Sequence, residues 1–259
     1  MKIVVAIKQV PLRDSSLRIA ASGRWIEEAD LAFEINEPDA YALEEALQLK
    51  EKHGGEVVVV CAGPARAAQT IREALAKGGD RAIHIQTNLA GTRNLAGLDT
   101  LAVAKLLADP VQAENPDLIL TGLQSDDLGY GQTGVVLAEL LGAPHATIIM
   151  QVEVGDGGIR VKRELEDGWF QHIHMPLPAV LTIQSGINKL RYATLMGIKK
   201  AKNKEIRVAP GGEPGGDAAV EIERIYAPQK TKQAVIFQGD AKAAAAQLVE
   251  KLKFEVRVL

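Results

Sequence analysis

Four short apolar runs, each followed by a stretch of helical periodicity, constrain the fold of this chain more than any other feature. The runs lie at 2–7 ("KIVVAI"), 56–61 ("EVVVVC"), 82–86 and 117–121. Consecutive apolar positions over so short a span mark strands covered on both faces. After the first run, Ala42, Leu43, Ala46 and Leu47 share one face of an expected helix over 39–52. Asp39 is its expected N-cap, and Gly54-Gly55 its stop. Helices follow at about 64–79, at about 98–108 and from 132 onward. Strand-helix alternation of this kind predicts an α/β fold with a doubly wound, mostly parallel sheet. The composition agrees: 47% of residues are hydrophobic but only 4% aromatic, so Ala and Val carry much of the core.

The pattern changes after residue 145. "ATIIMQVEV" and "GIRVKREL" form an expected antiparallel hairpin over 147–165, with turn signals at 155–158 and 166–168. "FQHIHMPLPAVLTIQ" is strand-like as well. "APGGEPGGD" at 209–217 is an expected linker, and "GDAKAAAAQLVEKLK" a helix capped by Asp240 and closed by an apolar tail. The organisation expected is a domain over 1–186 and an extended arm ending in a helix over 187–259.

Charge and cysteine usage exclude several classes. A net charge of −3 argues against bulk nucleic-acid binding. One cysteine, Cys61, allows no disulfide framework, and its apolar run makes it a small core residue. The N-terminal apolar run is too short for a signal-peptide core, and no run approaches a membrane span. A cytoplasmic protein is expected.

The sharpest local signal is "GLQSDDLGYGQTG", 122–134, between a strand end and a helix start. Open α/β sheets bind ligands at such loops. Gly129, Gly131 and Gly134 allow close backbone approach; Ser125, Gln132 and Thr133 offer donors. The N–H groups opening the helix can hold an anion, so phosphate is the expected ligand group. Asp126 and Asp127 could hold a cation or bond ribose hydroxyls, although adjacent carboxylates are more often solvated. Residues 129–134 also spell G-x-G-x-x-G, but they follow a late strand and start several residues beyond it. A nicotinamide dehydrogenase is therefore not expected. No G-x-x-x-x-G-K-[ST] run occurs, which argues against a P-loop nucleotidase. A second candidate is Asn36, Glu37, Pro38 and Asp39, before the first helix; capping explains Asp39, and proximity to an adenosine is the other possibility. His172 and His174 share a strand face without partners at metal spacing, so a structural role is expected.

Three segments resemble the electron transfer flavoprotein beta-subunit family. In "VKRELEDGWFQHIHMPLPAVLT", the residues Val161, Arg163, Glu166, Asp167, Gly168, Gln171, Ile173, Pro178, Val180, Leu181 and Thr182 match the family signature. "RYATL" at 191–195, followed by lysines, is similar to its partner-recognition loop, and "GYGQTG" to its nucleotide-phosphate loop. The resemblance spans essentially the whole chain. It implies an adenine-nucleotide-binding type of α/β fold that holds AMP and completes the FAD site of an alpha subunit. It implies no bond-making chemistry of the chain's own. As a heterodimer, such a protein carries electrons from flavin dehydrogenases such as acyl-CoA dehydrogenases towards a quinone reductase. The nucleotide residues implied are Ala6, Asn36, Glu37, Pro38, Asp39, Ala62, Gln124, Ser125, Asp126, Asp127, Leu128, Gly129, Tyr130, Gly131, Gln132, Thr133 and Gly134. The docking residues implied are Arg191, Tyr192, Ala193, Thr194, Leu195, Met196, Lys199 and Lys200, with Leu195 as the apolar anchor. Met196-Gly197 stands where the family has Pro after that Leu, which predicts a freer loop. Two alternatives stay open. One is a bifurcating subunit that binds a second FAD in place of AMP and oxidises NADH. The other is a stand-alone nucleotide-binding sensor module.

Overall fold

A computed structural model of the protein describes residues 1–87, 99–155, 157–211, 219–228 and 234–258. Its first compact unit is Met1–Ile225 and its second Tyr226–Leu259.

A nine-stranded sheet forms the first unit. β1 (Lys2–Ala6) lies at its centre, parallel to β4 (Glu56–Gly63) on one side and β6 (Leu118–Gly122) on the other. Beyond β4 come β5 (Arg81–Gln86) and β11 (Ile206–Pro210), both parallel. Beyond β6 come β10 (Ala179–Ile183) and β7 (His145–Gly155), still parallel. β8 (Gly158–Glu164) and β9 (Phe170–Met175) then continue the sheet antiparallel, which extends the expected hairpin by one strand.

Alternation within β1 supplies both cores. Ile3 and Val5 face α1 (Glu37–His53) and α2 (Ala67–Lys77), in one cluster with Leu43, Leu47, Ile71 and Leu75. Val4 and Ala6 face the other way, in a cluster with Leu107 and Val111 of α3 (Thr100–Ala113) and Leu137 of α4 (Thr133–Leu141). Ile3, Val4, Val5 and Ala6 are all buried, as a sheet covered on both faces requires. The sheet is doubly wound, as expected.

Several details differ from the sequence reading. The helix expected from residue 39 starts at Glu37, with Asn36 at the N-cap position. Asp39 lies inside the first turn, buried, and caps nothing on its own helix. Residues 9–35 contribute β2 (Gln9–Pro11) paired antiparallel with β3 (Phe33–Ile35); no periodicity announced that pair. The break expected after residue 186 is not where the first unit ends, because the following segment packs back. α5 (Leu195–Ala201) packs on α2, and β11 pairs with β5 through residues 206–210. Ala209 and Pro210, expected in the linker, end that strand; linker positions 212–217 lie outside the described residues, as does part of the turn at 155–158.

The second unit contains α6 (Ala241–Lys251), whose first turn is capped by Asp240 as expected: its carboxylate accepts from the Ala243 N–H at 2.8 Å. One π-helical turn, 252–256, follows.

Candidate functional site

The chain leaves β1 to build β4 on one side, and later builds β6 on the other. That reversal is a switch point, where strand ends splay and leave a crevice. A cavity of about 310 Å³ opens there. Its floor is the carboxyl ends of the three strands: Ala6 of β1, Ala62 and Gly63 of β4, Thr121 and Gly122 of β6.

One wall is the loop 123–132. Gln124, Ser125, Asp127, Leu128, Tyr130, Gly131 and Gln132 line the cavity, with Thr133 and Gly134 opening α4 beyond them. Gly129 and Gly131 have φ of 66° and 64°, the left-handed region that side chains disfavour. The Gly129 N–H donates to the Ser125 carbonyl at 2.9 Å and closes the turn. No side chain caps the first turn of α4. Its N–H groups therefore retain donor capacity, with the positive end of the helix dipole behind them. Gly134 also has a packing role that the sequence did not announce. A Cβ there would lie 2.6 Å from Thr121 Oγ1 and 2.6 Å from Thr182 Cγ2, so this glycine lets α4 pack closely on β6 and β10.

Asn36 and Asp39 hold that wall to α1. Asn36, only 1% exposed, donates from Nδ2 to the Gln124 carbonyl at 2.9 Å, and its Oδ1 accepts from the Asp126 N–H at 2.9 Å. Asp126 returns the contact: its Oδ2 accepts from the Glu37 N–H at 3.2 Å, satisfying a first-turn donor of α1. Arg13 pairs with Glu37 and approaches Asp126. Asp39 accepts from the Lys8 N–H at 2.7 Å and from the Gly122 N–H at 2.9 Å, so one carboxylate ties the ends of β1 and β6 together. Burial pushes its pKa up to about 7, against the opposing pull of those two N–H groups. Asn36 and Asp39 line the cavity; Glu37, Pro38, Asp126 and Gly129 stand behind it.

Lys8 sits at the rim. Its ammonium pairs with Asp127 at 2.6 Å and reaches Ser125 Oγ at 3.3 Å. Asp127 is thereby neutralised by a cation of its own chain. Pro11, Trp25 and Phe33 also line the cavity, together with Gln9, Glu28 and Arg66, and were not legible beforehand. The Arg66 guanidinium lies 4.2 Å from the Phe33 ring centroid and pairs with Glu28 at 2.8 Å. Cys61 lies beneath the floor, and burial followed by the Asp39 charge pushes its thiol up to about 12. At neutral pH it is a protonated core residue. Among the described residues no cluster of His, Cys, Asp or Glu could hold a metal ion.

The segment 191–200 is a separate surface. Thr194 caps α5, accepting from the Gly197 N–H at 3.0 Å. Tyr192 is 93% exposed, Leu195 81% and Met196 61%. Lys199 and Lys200 are exposed beside them. Arg191 bonds inward instead: its guanidinium donates to Glu44 at 2.7 and 3.0 Å and to Glu51 at 2.6 and 3.2 Å, both on α1. Gly197 does not loosen the loop as the sequence suggested. A Cβ there would lie 2.3 Å from the Ala76 carbonyl, so this glycine lets α5 approach the end of α2. Arg72 reinforces the seat, donating to the Ala201 and Lys204 carbonyls at 2.6 Å each.

Fold and cleft together place the chain among the doubly wound α/β proteins with a crevice at the switch point. A family model for the electron transfer flavoprotein domain matches residues 24–213. The electron transfer flavoprotein subunit beta of Methylophilus methylotrophus is 37% identical over 262 residues, covering 96% of this chain and 97% of that protein. The protein of the same name from Bradyrhizobium diazoefficiens is 38% identical over the whole of both chains. The mitochondrial subunit beta of Oryza sativa subsp. japonica is 37% identical, again over both whole chains. This chain belongs to the electron transfer flavoprotein beta-subunit family. By family name its members are electron-transfer flavoproteins. Among the described residues, no helix is long and apolar enough to cross a membrane.

Proposed function

We propose that the chain is the beta subunit of a cytoplasmic heterodimer in which an alpha subunit holds FAD. In that complex the cleft binds AMP, and the chain completes the flavin site without bond-making chemistry of its own. The heterodimer carries electrons from flavin dehydrogenases of the acyl-CoA type towards a quinone reductase. The observation that carries this is the cleft at the ends of β1, β4 and β6, with the uncapped start of α4 as its anion end.

The residues present fit AMP. The backbone of 131–134 offers N–H groups for a phosphate. The nearby carboxylates do not make the site repulsive, because Lys8 pairs with Asp127 and burial raises Asp39. A cavity of about 310 Å³ lies at the low end of the ~300–1,000 Å³ common for ligand sites. That size suits a mononucleotide better than a second FAD. A bound AMP would join loop 123–132, α4 and the strand ends, and so stiffen the chain. FAD, when present in the partner, supplies the redox chemistry.

Docking of a dehydrogenase is assigned to Tyr192, Leu195 and Met196, with Lys199 and Lys200 around them. Arg191 supports this surface from behind, through α1. The test is copurification followed by turnover. An alpha-type flavoprotein subunit should copurify, and the complex should be reduced by an acyl-CoA dehydrogenase with its substrate. A chain that purifies alone and accepts no electrons in the presence of that subunit would overturn the proposal.

A further inference from the structure

Two walls of the cleft are joined by a segment from far along the chain. α3 packs on one face of the sheet, in the cluster with Val4 and Val60, and α2 on the other, with Val5 and Val59. Asp99, at the N-cap of α3, lines the cavity. Its Oδ1 accepts from the Ala102 N–H at 2.8 Å and caps the helix. Its Oδ2 accepts from the Ala219 N–H at 2.6 Å and from the Val220 N–H at 3.1 Å. At the other end, the Ile225 N–H donates to the Gly23 carbonyl at 2.8 Å, and Arg24 pairs with Glu221 at 2.9 Å. Gly23 and Arg24 lie in a hairpin closed by the Ala20 N–H, which donates to the Trp25 carbonyl at 2.8 Å. Trp25 lines the cavity, and its indole N–H donates at 2.9 Å to Glu28, which pairs with Arg66 at the N-cap of α2. Residues 219–225 thus run from the α3 side of the sheet to the α2 side, bonded at each end to a wall of the same cleft.

We infer that residues 219–225 are a tether that sets the rate at which nucleotide enters and leaves the cleft, with Asp99 as its latch. This rests on AMP occupying the cleft. The tether contains no helix or strand, and Ala219, Val220, Glu221, Glu223 and Arg224 are exposed. A segment of that kind opens locally while the core stays folded. The Arg24–Glu221 pair is exposed on both sides and adds little. The carboxylate of Asp99, accepting from two successive N–H groups, is the stronger hold. While both ends are bonded, the α3 wall and the hairpin wall cannot separate. The tether bonds to the protein and not to the nucleotide, so its release speeds entry and departure together and leaves affinity nearly unchanged. Asp99 is then a positioning residue, acting on exchange through 219–225.

The experiment uses the purified complex of this chain with its alpha subunit. Release of radiolabelled AMP into excess unlabelled AMP gives one rate, and uptake of labelled AMP by the nucleotide-stripped complex gives the other. Asp99→Asn keeps the helix cap, since Asn serves there as well as Asp, but puts an NH₂ that cannot accept in place of the latching oxygen. It should raise both rates about tenfold or more, the factor for a lost hydrogen bond to a charged group. Ile225→Pro removes the N–H that bonds Gly23, at a residue that does not line the cavity. It should raise both rates about fivefold, as for a lost neutral bond. Affinity should stay within about threefold in each, because opening acts on both directions alike. Where one variant fails to fold, the other decides. A folded variant that exchanges AMP at the unmodified rates would overturn the tether while leaving AMP binding intact. So would faster release with unchanged uptake, which marks a lost contact to the nucleotide. Binding of no AMP to the unmodified complex would overturn AMP occupancy itself, and the tether's task with it.

Discussion

Asp39 fills the space that a side chain on residue 122 would need. A Cβ on Gly122 would lie 2.4 Å from Asp39 Oδ1, 2.7 Å from the Asp39 nitrogen and 2.7 Å from the Pro38 carbonyl carbon. The start of α1 is thus seated on the end of β6, and the Gly122 N–H donates to Asp39 across that contact. Two of the three obstructing atoms are backbone, so they cannot turn aside. Gly122→Ala should destabilise the chain by about 2 kcal/mol, in the range of overpacked cores. Chemical denaturation at constant m-value measures it; a loss under about 0.5 kcal/mol would mean that α1 moves freely.

The pH dependence of stability should carry the signature of Asp39. Its pKa is raised by burial to about 7, so between about pH 4 and 7 the folded chain holds a proton that the unfolded chain has released. Stability from this group is therefore complete at the acid end and is lost as pH rises towards 7. Asp39→Asn should flatten that part of the profile. It should also lower stability by about 1–3 kcal/mol, because Asn can accept only one of the two N–H groups. An unchanged pH profile in the variant would show that Asp39 titrates normally.

Gly131→Ala should act on the loop more than on the fold. The nearest atom to a Cβ is the Leu123 carbonyl at 3.6 Å, an ordinary contact. The cost is the left-handed φ of 64°, about 1–2 kcal/mol for a residue with a side chain. Relaxing that strain would turn the N–H groups of 131–134 away from the cleft. AMP content should fall while the thermal midpoint changes little. Full AMP retention would move the phosphate site elsewhere.

Arg191 and Leu195 are four residues apart and should behave oppositely. Arg191→Ala removes four hydrogen bonds to Glu44 and Glu51 and leaves the Glu44 carboxylate, 5% exposed, without its cation. A loss of about 2 kcal/mol in stability is expected, as for bonds to charged groups. Leu195→Ala should leave stability unchanged, since the side chain stands in solvent. Docking energy should fall by about 2 kcal/mol at ~0.8 kcal/mol per buried methylene, or tenfold and more in affinity. Electron transfer from a reduced dehydrogenase, measured beside thermal unfolding, separates the two.

The sheet was legible because its strands are apolar on both faces and its helices carry period 3.6. Residues 9–35 were not, since β2 and β3 have three residues each and no alternation to read. That gap hid the part of the cleft lined by Trp25 and Phe33. Loop 122–134 announced itself through its glycines, but sequence could not distinguish their tasks: φ at 129 and 131, helix-to-sheet packing at 134. Asp39 before an apolar helix predicts a cap; its real partners, Lys8 and Gly122, are distant in sequence. The first unit runs past 186, to Ile225, for the same reason. β11 is only five residues long, and its pairing with β5 is set by tertiary contact rather than by local pattern.

Extraction of the purified heterodimer, with every released nucleotide identified and counted, tests the central claim most directly. One AMP and one FAD per heterodimer are expected, with the AMP lost in Gly131→Ala and the FAD kept. Two FAD and no AMP, or a single FAD with the cleft of this chain carrying no nucleotide, would contradict it.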